Sequence, residues 1–332
     1  MSCSIILTHL GESIPPYSKD CIHQLRLWNP IPIYVILDPC HRASDFWNSL
    51  QKTYTVTLVF TDTLVPTDHH RDFTRGFQGD TTFRKGFWKH VKERFFYVEE
   101  LIKSENLTHI ISMEYDVLVY TRLSNVIDTF NTSTKKQCIR IVRDNDDRGH
   151  PGFMYIPSLE SIQEYNRFLI SILHTSLEDM QALALYANTY KDRVAYLPVI
   201  TEARNRSIPN RRSTCGHTSQ DPFYLSEDSD HLGVLFDSAV VGQWVGGIDS
   251  RNTGGAKVTK YENESALYKI SEMKFQWKKD IETFLWQPFL DGQLLATIHV
   301  HSKALASFRS DRADYPKDDY DVKEVIQTLL RN

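Results

Sequence analysis

Residues 4–60 decide the fold, because three short apolar runs alternate in them with two helical patterns: SIILTHL (4–10), IPIYVIL (31–37) and YTVTLVF (54–60). Each run is rich in β-branched or large aliphatic residues and is bounded by polar or turn-forming residues, which is typical of a buried strand. Between the runs, apolar residues recur at helical spacing from Ser18 to Asn29 and again after Ser44. Strands that alternate with helices predict an α/β fold with a mostly parallel sheet flanked by helices.

The composition and the first strand exclude several classes of function. The 332 residues carry 42 acidic and 38 basic side chains, a formal net charge of -4, so we expect no nucleic-acid partner. No apolar run approaches the roughly 18 residues that a membrane span needs, and residues 1–10 lack the basic start of a secretory signal. No G-x-G-x-x-G follows the first strand, which disfavours an NAD or FAD enzyme.

The cysteines indicate a reducing compartment. Five of them are scattered along the chain, at positions 3, 21, 40, 138 and 215, and no C-x-x-C pair occurs. An odd, dispersed set predicts neither a zinc site nor a disulfide framework. We therefore expect a cytoplasmic protein with free thiols.

The middle of the chain predicts a loop, a long helix and a strand in that order. Residues 62–86 are polar and predict a long loop, with His69 and His70 at its tip. Apolar residues at steps of three and four predict a helix over residues 87–104. Residues 109–119 predict one strand that contains the triplet Glu114-Tyr115-Asp116.

Later patterns predict shorter elements and a change of character near residue 201. Strands are expected at 138–142, 152–156, 194–200 and 294–301, and helices at 159–173 and 177–190. Residues 204–221 are basic and polar, and residues 236–255 are rich in glycine. We interpret the chain as one α/β domain with a C-terminal elaboration.

Glu114 and Asp116 are candidate metal ligands. Two residues apart on a strand, their side chains are expected on one face, where both can bind one divalent cation. Such an ion bridges a diphosphate and stabilises the charge that develops as a nucleotide leaves. Two plainer interpretations stay open, an acidic strand edge facing water or a carboxylate paired with Arg94. Arg94 itself is expected either as a solvated helix charge or as a partner of a phosphate or of Asp116.

The stretch TIHVHSK (297–303) contains the second set of candidates. His299 and His301 are expected on one face of a strand by the period of two. Imidazole binds manganese, iron or zinc, and Lys303 supplies a positive charge for a phosphate. Two half-exposed histidines on an edge strand are the plainer interpretation. Together with the acidic triplet, however, the stretch provides a mixed carboxylate and imidazole site over a diphosphate.

These elements, in this order, resemble glycosyltransferases of the GT-A fold, of the type found in bacteria and large DNA viruses. The resemblance spans most of the chain and rests on the strand 5–10, the helix segment 24–29, Glu93-Arg94-Phe95-Phe96, Glu114-Tyr115-Asp116, Gly152-Phe153-Met154-Tyr155, Glu178-Asp179-Met180 and His301-Ser302-Lys303. It implies a GT-A-like, Rossmann-like sheet. Residues 204–263 match no general pattern of that family, which leaves the acceptor open.

The resemblance also implies roles for individual residues. Glu114-Tyr115-Asp116 is similar to the family's D-x-D motif with Glu in first position, and Asp116 then matches the residue that binds the metal directly. His301 and Lys303 resemble the C-terminal metal histidine and phosphate lysine. The residues implied to bind the nucleotide sugar are Thr8, Arg94, Glu114, Tyr115, Asp116 and Lys303, and those implied to bind the metal are Asp116, His301 and Glu114.

Asp179 resembles the acidic residue at a helix start that touches the sugar or acceptor, and it is our candidate catalytic base. A capping role stays open, because Ser176 and Asp179 have the spacing of a capping box. Asp237 and Asp249, beside the glycine-rich stretch, are rival candidates for the base. The loop at 144–149 resembles half of a calcium loop, but Arg148 occupies a ligand position, so we exclude calcium there.

The resemblance and the residues together predict a metal-dependent glycosyltransferase. It moves a hexosyl or pentosyl group from a UDP- or GDP-type sugar to a carbohydrate or glycan acceptor, with Mn²⁺ or Mg²⁺. Residues 1–130 are expected to bind the nucleotide sugar, residues 131–303 to complete the acceptor and metal site, and residues 304–332 to form a helical tail. The alternatives are a non-catalytic carbohydrate-binding protein on the same fold and a sugar nucleotidyltransferase.

Overall fold

The computed structural model describes residues 3–133, 135–208, 212–219, 221, 223–256 and 258–313. Within these residues the strands are β1 (Ser4–His9), β2 (Ile33–Leu37), β3 (Thr57–Phe60), β4 (Ile110–Met113), β5 (Val117–Val119), β6 (Ile139–Asn145), β7 (Arg148–Ile156), β8 (Val194–Tyr196), β9 (Val234–Phe236), β10 (Phe275–Lys279), β11 (Trp286–Leu290) and β12 (Gln293–His299). The helices are α1 (Ser18–Trp28), α2 (Asp45–Tyr54), α3 (Asp68–Gly76), α4 (Phe87–Glu105), α5 (Leu123–Thr132), α6 (Leu159–Ser171), α7 (Asp179–Thr189), α8 (Glu202–Ser207), α9 (Ser229–Leu232) and α10 (Val240–Gly246).

The main sheet has the strand order β3-β2-β1-β4-β7-β6-β8. The pairs β3–β2, β2–β1, β1–β4 and β6–β8 are parallel, whereas β7 runs antiparallel to both of its neighbours. Strand β1 lies between β2 and β4 in this order, and its apolar run is fully buried over Ile5–Leu7. The predicted α/β fold with a mostly parallel sheet flanked by helices is confirmed.

The two faces of the sheet bury separate sets of side chains. Ile5 and Leu7 point to one face, where they join a core with residues of α1 and α2. Ile6 points to the other face and joins a core with residues of α4 and α6. Alternation along a strand covered by helices on both sides explains why its sequence is a continuous apolar run.

A second sheet forms the C-terminal elaboration. Its order is β10-β11-β12-β5, with β9 also paired to β12. Strand β12 runs antiparallel to β5, with Thr297 opposite Val119 and His299 opposite Val117. This register places the last residues of β12 beside the chain that leaves β4, and so positions the candidate site.

Helix α3 occupies a stretch that the sequence predicts to be loop, and the placement of His69 and His70 at a loop tip is wrong. The buried imidazole of His70 lies 2.6 Å from Oε1 of Glu100 and 3.4 Å from Oε1 of Glu93. The side chain of Thr67 caps the helix by accepting the backbone N–H of His70. A helix held by buried ion pairs leaves no clear apolar period, which is why the pattern does not reveal it.

The acidic triplet lies between two strands and not inside one, so the prediction of a single strand over 109–119 is wrong. Strand β4 ends at Met113 and β5 begins at Val117, in the other sheet. The backbone N–H of Val117 donates to the carbonyl of Glu114 at 3.3 Å, which closes the turn. The apolar segments on either side of the triplet have the pattern of one strand, because no residue near them signals that the chain passes from one sheet to the other.

Two features of the described residues concern a membrane span and the C-terminal tail. No helix in the described part of the chain has the length and apolar character to cross a lipid bilayer. Residues 304–313 contain a 3-10 helix at Leu305–Phe308, and the rest of the predicted helical tail, residues 314–332, lies outside the described residues. The division at residues 130 and 303 stays a prediction.

Candidate active site

The site begins where β1 and β4 end. These parallel neighbours pair up to Leu7 and Met113, so Thr8 and Glu114 follow at the same carboxyl edge of the sheet. The backbone N–H of Glu114 donates to the carbonyl of Gly152 on β7 at 2.9 Å. Ligands of open α/β sheets bind at such carboxyl ends.

Asp116 is the most strongly paired carboxylate of the edge. Its side chain is buried, and its Oδ2 accepts hydrogen bonds from Nε2 of His299 at 2.9 Å and from Nζ of Lys303. Burial alone would raise the pKa of Asp116, but the charges and hydrogen bonds of His299 and Lys303 outweigh it and hold the pKa well below its usual range. Asp116 therefore remains an anion at neutral pH.

A second histidine, His150, orients the ring of His299. The backbone N–H of Gly152 donates to Nδ1 of His150 at 3.1 Å, so the proton of the neutral His150 ring resides on Nε2. That Nε2 donates to Nδ1 of His299 at 2.8 Å. Burial lowers the pKa of His150 well below its ordinary value and keeps the ring neutral. A side chain at Gly152 would collide with His150, since a Cβ there would lie 2.5 Å from Cε1 of the ring.

Glu114, Asp116 and His299 form a group with the composition of a metal site. One oxygen of each carboxylate and one imidazole nitrogen all lie within 4.8 Å of one another. Two carboxylate oxygens and one imidazole nitrogen suit Mn²⁺ better than Mg²⁺, which prefers oxygen ligands. The ion would replace the proton that Nε2 of His299 donates to Asp116. The donor atoms present thus fit the predicted cation.

The resemblance implies His301 as the metal histidine, but within the described residues it is His299 that lies with the two carboxylates. Strand β12 ends at His299, so the prediction that both rings share one strand face is wrong. The backbone N–H of Lys303 donates to the carbonyl of Val300 at 2.9 Å and turns the chain away. Nδ1 of His301 instead accepts the backbone N–H of Asp249 at 2.9 Å.

Arg94 connects Glu114 to Asp179. Its guanidinium donates to Oε1 of Glu114 at 2.6 Å and to Oδ2 of Asp179 at 3.3 Å, and its side chain is only 13% exposed. The interpretation of Arg94 as a solvated helix charge is therefore wrong, because tertiary packing encloses this face of α4. A largely enclosed guanidinium with two carboxylate partners positions both of them.

Asp179 begins α7 but does not cap it. Glu178 is the N-cap, and it forms a capping box with Gln181. The predicted capping box of Ser176 with Asp179 is wrong, because the helix begins at Asp179 itself. Burial raises the pKa of Asp179 to about 6, although Arg94 opposes the shift. A carboxylate with this pKa accepts and releases a proton near neutral pH.

The rival carboxylates make other contacts. Asp237 is buried, and its oxygens accept the backbone N–H groups of Val241, Gly242 and His299 at 2.8–2.9 Å. Asp249 forms an ion pair with Arg251. Asp237 therefore joins the start of α10 to the end of β12, which is a structural role.

Thr8 and Tyr115 supply hydroxyl groups without a protein partner among the described residues. The ring of Tyr115 is buried beneath the edge, 5.8 Å from the ring of Trp47 and 6.2 Å from that of His9. Thr8 lies at the edge itself, next to Glu114 in the register of β1 and β4. His150 is the site residue that sequence reasoning missed, and no local signal marks it, since only the pairing of β7 with β4 brings it to His299.

Comparison with known proteins finds similarity in structure but not in sequence. No family model and no curated protein matches the chain. The apo form of mouse xyloside xylosyltransferase 1 matches with 11% identity and a TM-score of 0.44, over 60% of this chain and 86% of that one. The galactosyltransferase LgtC, in complex with donor and acceptor sugar analogs, matches with 12% identity and a TM-score of 0.43, over 67% and 81%. The apo glycosyltransferase GlyE of Streptococcus pneumoniae matches with 12% identity and a TM-score of 0.40, over 59% and 45%.

The solved structures named above are glycosyltransferases, the class that the sequence resembles. At such low identity the likeness concerns the fold alone, and one fold hosts many activities. The activity of this chain therefore has to follow from the geometry of its own site.

Proposed function

We propose that this chain is a divalent-cation-dependent glycosyltransferase that uses a UDP- or GDP-type sugar as donor and a carbohydrate or glycan as acceptor. One observation carries the proposal: a three-residue group of metal-ligand type lies at the carboxyl edge of a mostly parallel sheet. A largely enclosed arginine and a carboxylate of raised pKa lie beside it. Acidic residues at a phosphate site need a cation, because carboxylates and phosphates repel each other.

Glu114, Asp116 and His299 would hold the ion. The burial of Asp116 and His299, together with the partners Arg94 and His150, orients the ligand atoms before any ion arrives. When bound, Mn²⁺ or Mg²⁺ would supply positive charge that offsets the charge of the diphosphate and stabilises it as a leaving group.

The remaining residues bind the donor. Lys303 carries the positive charge that contacts Asp116 and would bind a phosphate oxygen. Thr8 offers a hydroxyl at the end of β1, where the nucleotide would lie. Residues 1–130 would thus contribute most of the nucleotide contacts, and the end of β12 would complete the diphosphate site.

Asp179 would act on the acceptor. Its carboxylate is connected through Arg94 to Glu114, so it lies near the ion yet outside the ligand group. With a pKa of about 6, it is mostly ionised at neutral pH and is able to take the proton of an acceptor hydroxyl. Whether a hexosyl or a pentosyl group is transferred depends on the donor-sugar pocket.

The test is binding of UDP and of GDP by calorimetry, with Mn²⁺ and with excess EDTA, followed by an assay of donor-sugar hydrolysis. We expect at least one diphosphate to bind about tenfold or more tightly with Mn²⁺. Equal affinities with and without the ion would refute metal-dependent donor binding. Binding without any turnover, in the presence of acceptor glycans, would favour the carbohydrate-binding alternative.

A matched pair of variants tests the choice of histidine. His299→Ala should abolish the Mn²⁺ dependence of diphosphate binding, because it removes a ligand atom. His301→Ala should leave most of that dependence, since the ring of His301 accepts a backbone N–H of Asp249 instead. Far-UV circular dichroism shows whether each variant is folded. The reverse result would make His301 the ligand, as the sequence resemblance implies.

A further inference from the structure

We infer that Lys303 occupies the cation position of the free protein and moves to the diphosphate when the ion binds, which makes ion and diphosphate bind cooperatively. The inference rests on the proposed function and extends it to the order of events at the same site. It assigns Lys303 two successive anionic partners, first Asp116 and then a phosphate.

The contacts of Asp116 carry the inference. Its Oδ2 accepts from both Lys303 and His299, and its side chain is buried. The ammonium group also lies 5.8 Å from the centre of the Tyr17 ring. Lys303 therefore already neutralises the carboxylate that the ion would need.

Ion and ammonium cannot both remain there. The ligand atoms of Glu114, Asp116 and His299 lie within 4.8 Å of one another, so a bound ion would lie close to the Nζ of Lys303. Like charges at such a distance repel each other, the more so because Asp116 and His299 are buried. Binding of the ion alone must therefore break the pair of Lys303 with Asp116, and the ammonium then loses its hydrogen-bonded anionic partner.

A diphosphate removes this penalty, because it offers Lys303 a new anionic partner within reach of the same backbone position. Each ligand then strengthens the binding of the other, and thermodynamic linkage requires the two factors to be equal. Such coupling commonly amounts to about 5- to 150-fold. The free protein would accordingly bind the ion weakly and the ion–nucleotide pair tightly.

The exchange, in which Lys303 leaves Asp116 for a phosphate, is tested by calorimetric titration of Lys303→Met and of the wild type with Mn²⁺ alone. We expect the variant to bind Mn²⁺ about tenfold more tightly, since Asp116 is no longer neutralised. Lys260→Met is the matched control: Lys260 is exposed, and it shares with Lys303 a positive φ. Its affinity for Mn²⁺ should equal that of the wild type.

The second measurement is the factor by which Mn²⁺ strengthens binding of the tighter nucleotide of UDP and GDP. That factor should fall severalfold in Lys303→Met, because the lysine no longer links the two ligands. Should the methionine variant fail to fold, Lys303→Gln keeps a hydrogen-bond donor without the charge, and its Mn²⁺ affinity should also exceed that of the wild type.

Failure of the exchange and failure of the proposed function give different results. Equal Mn²⁺ affinities in the wild type and in a folded Lys303 variant, with Mn²⁺-dependent nucleotide binding intact in the wild type, would overturn the exchange alone. Absence of Mn²⁺-dependent nucleotide binding in the wild type would overturn the proposed function and the exchange with it.

Discussion

Replacing Asp179 with asparagine separates a catalytic role from a structural one. The residue begins α7, but Glu178 and Gln181 form the capping box, so the substitution removes no cap. Asparagine keeps the size of the side chain and an oxygen that can accept from Arg94. It removes only the ability to ionise and to accept a proton.

The expected effect on stability follows from the pKa. Burial raises the pKa of Asp179 from 3.8 to about 6, so ionising the carboxylate in the folded protein costs about 3 kcal/mol more than in the unfolded chain. The stability that protonation provides is fully present below about pH 4 and is lost as the pH rises through about 6. Asparagine does not titrate, so between about pH 5 and about pH 8 the variant should gain about 1.4 kcal/mol relative to the wild type.

Urea unfolding at both pH values measures this difference, and donor consumption with an acceptor glycan measures the rate. If Asp179 is the base, kcat should fall by about 10²- to 10⁴-fold while Mn²⁺-dependent binding of the diphosphate persists. Glu178→Gln is the neighbouring control and should retain near-normal kcat.

Two results would refute the reasoning about Asp179. Unchanged kcat in Asp179→Asn would remove it as the base. A stability difference between variant and wild type that does not vary with pH would show that burial does not perturb the carboxyl group.

Two predictions concern the framework around the site. Alanine at Gly242 places its Cβ 1.8 Å from the carbonyl oxygen of His299, so thermal unfolding should show that the protein loses about 1–3 kcal/mol of stability. Gly246→Ala is the control: its Cβ would lie 3.4 Å from the nearest atom, so the midpoint of unfolding should change little. Burial would lower the pKa of His70, but its hydrogen bonds to Glu100 and a second glutamate raise it to about 9. The stability from this imidazolium is therefore present below pH 6.5 and lost as the pH rises through about 9. Denaturant unfolding should show that the free energy of unfolding falls by up to about 3 kcal/mol over this range in the wild type but not in His70→Gln. A fall of equal size in the variant would contradict the assignment.

Local sequence patterns were sufficient for the α/β class and for most strands and helices of the main sheet. The apolar runs of β1, β2 and β3 and the period of α4 depend on side chains only a few residues apart, and burial on one or two faces imposes those periods directly. The chain therefore determines, by itself, a mostly parallel sheet flanked by helices. The sequence pattern did not reveal helix α3, because His70 is held by ion pairs with residues of another helix.

The candidate site depends on contacts that local sequence patterns do not encode. The sequence by itself supplied the residue types, with Glu114 and Asp116 in one segment and two histidines in another. Only the tertiary structure chose between the histidines, because the register of β12 against β5 and the end of β12 bring His299 to the carboxylates.

The same holds for the partners that orient these ligands. Arg94 on α4 meets Glu114 and Asp179, and His150 on β7 meets His299, although each partner is distant in sequence. Such contacts depend on strand order and on the packing of helices against a sheet, which no short window of sequence encodes. Local periodicity thus determines which elements form, whereas the desolvated charge pairs of the site exist only after those elements have packed together.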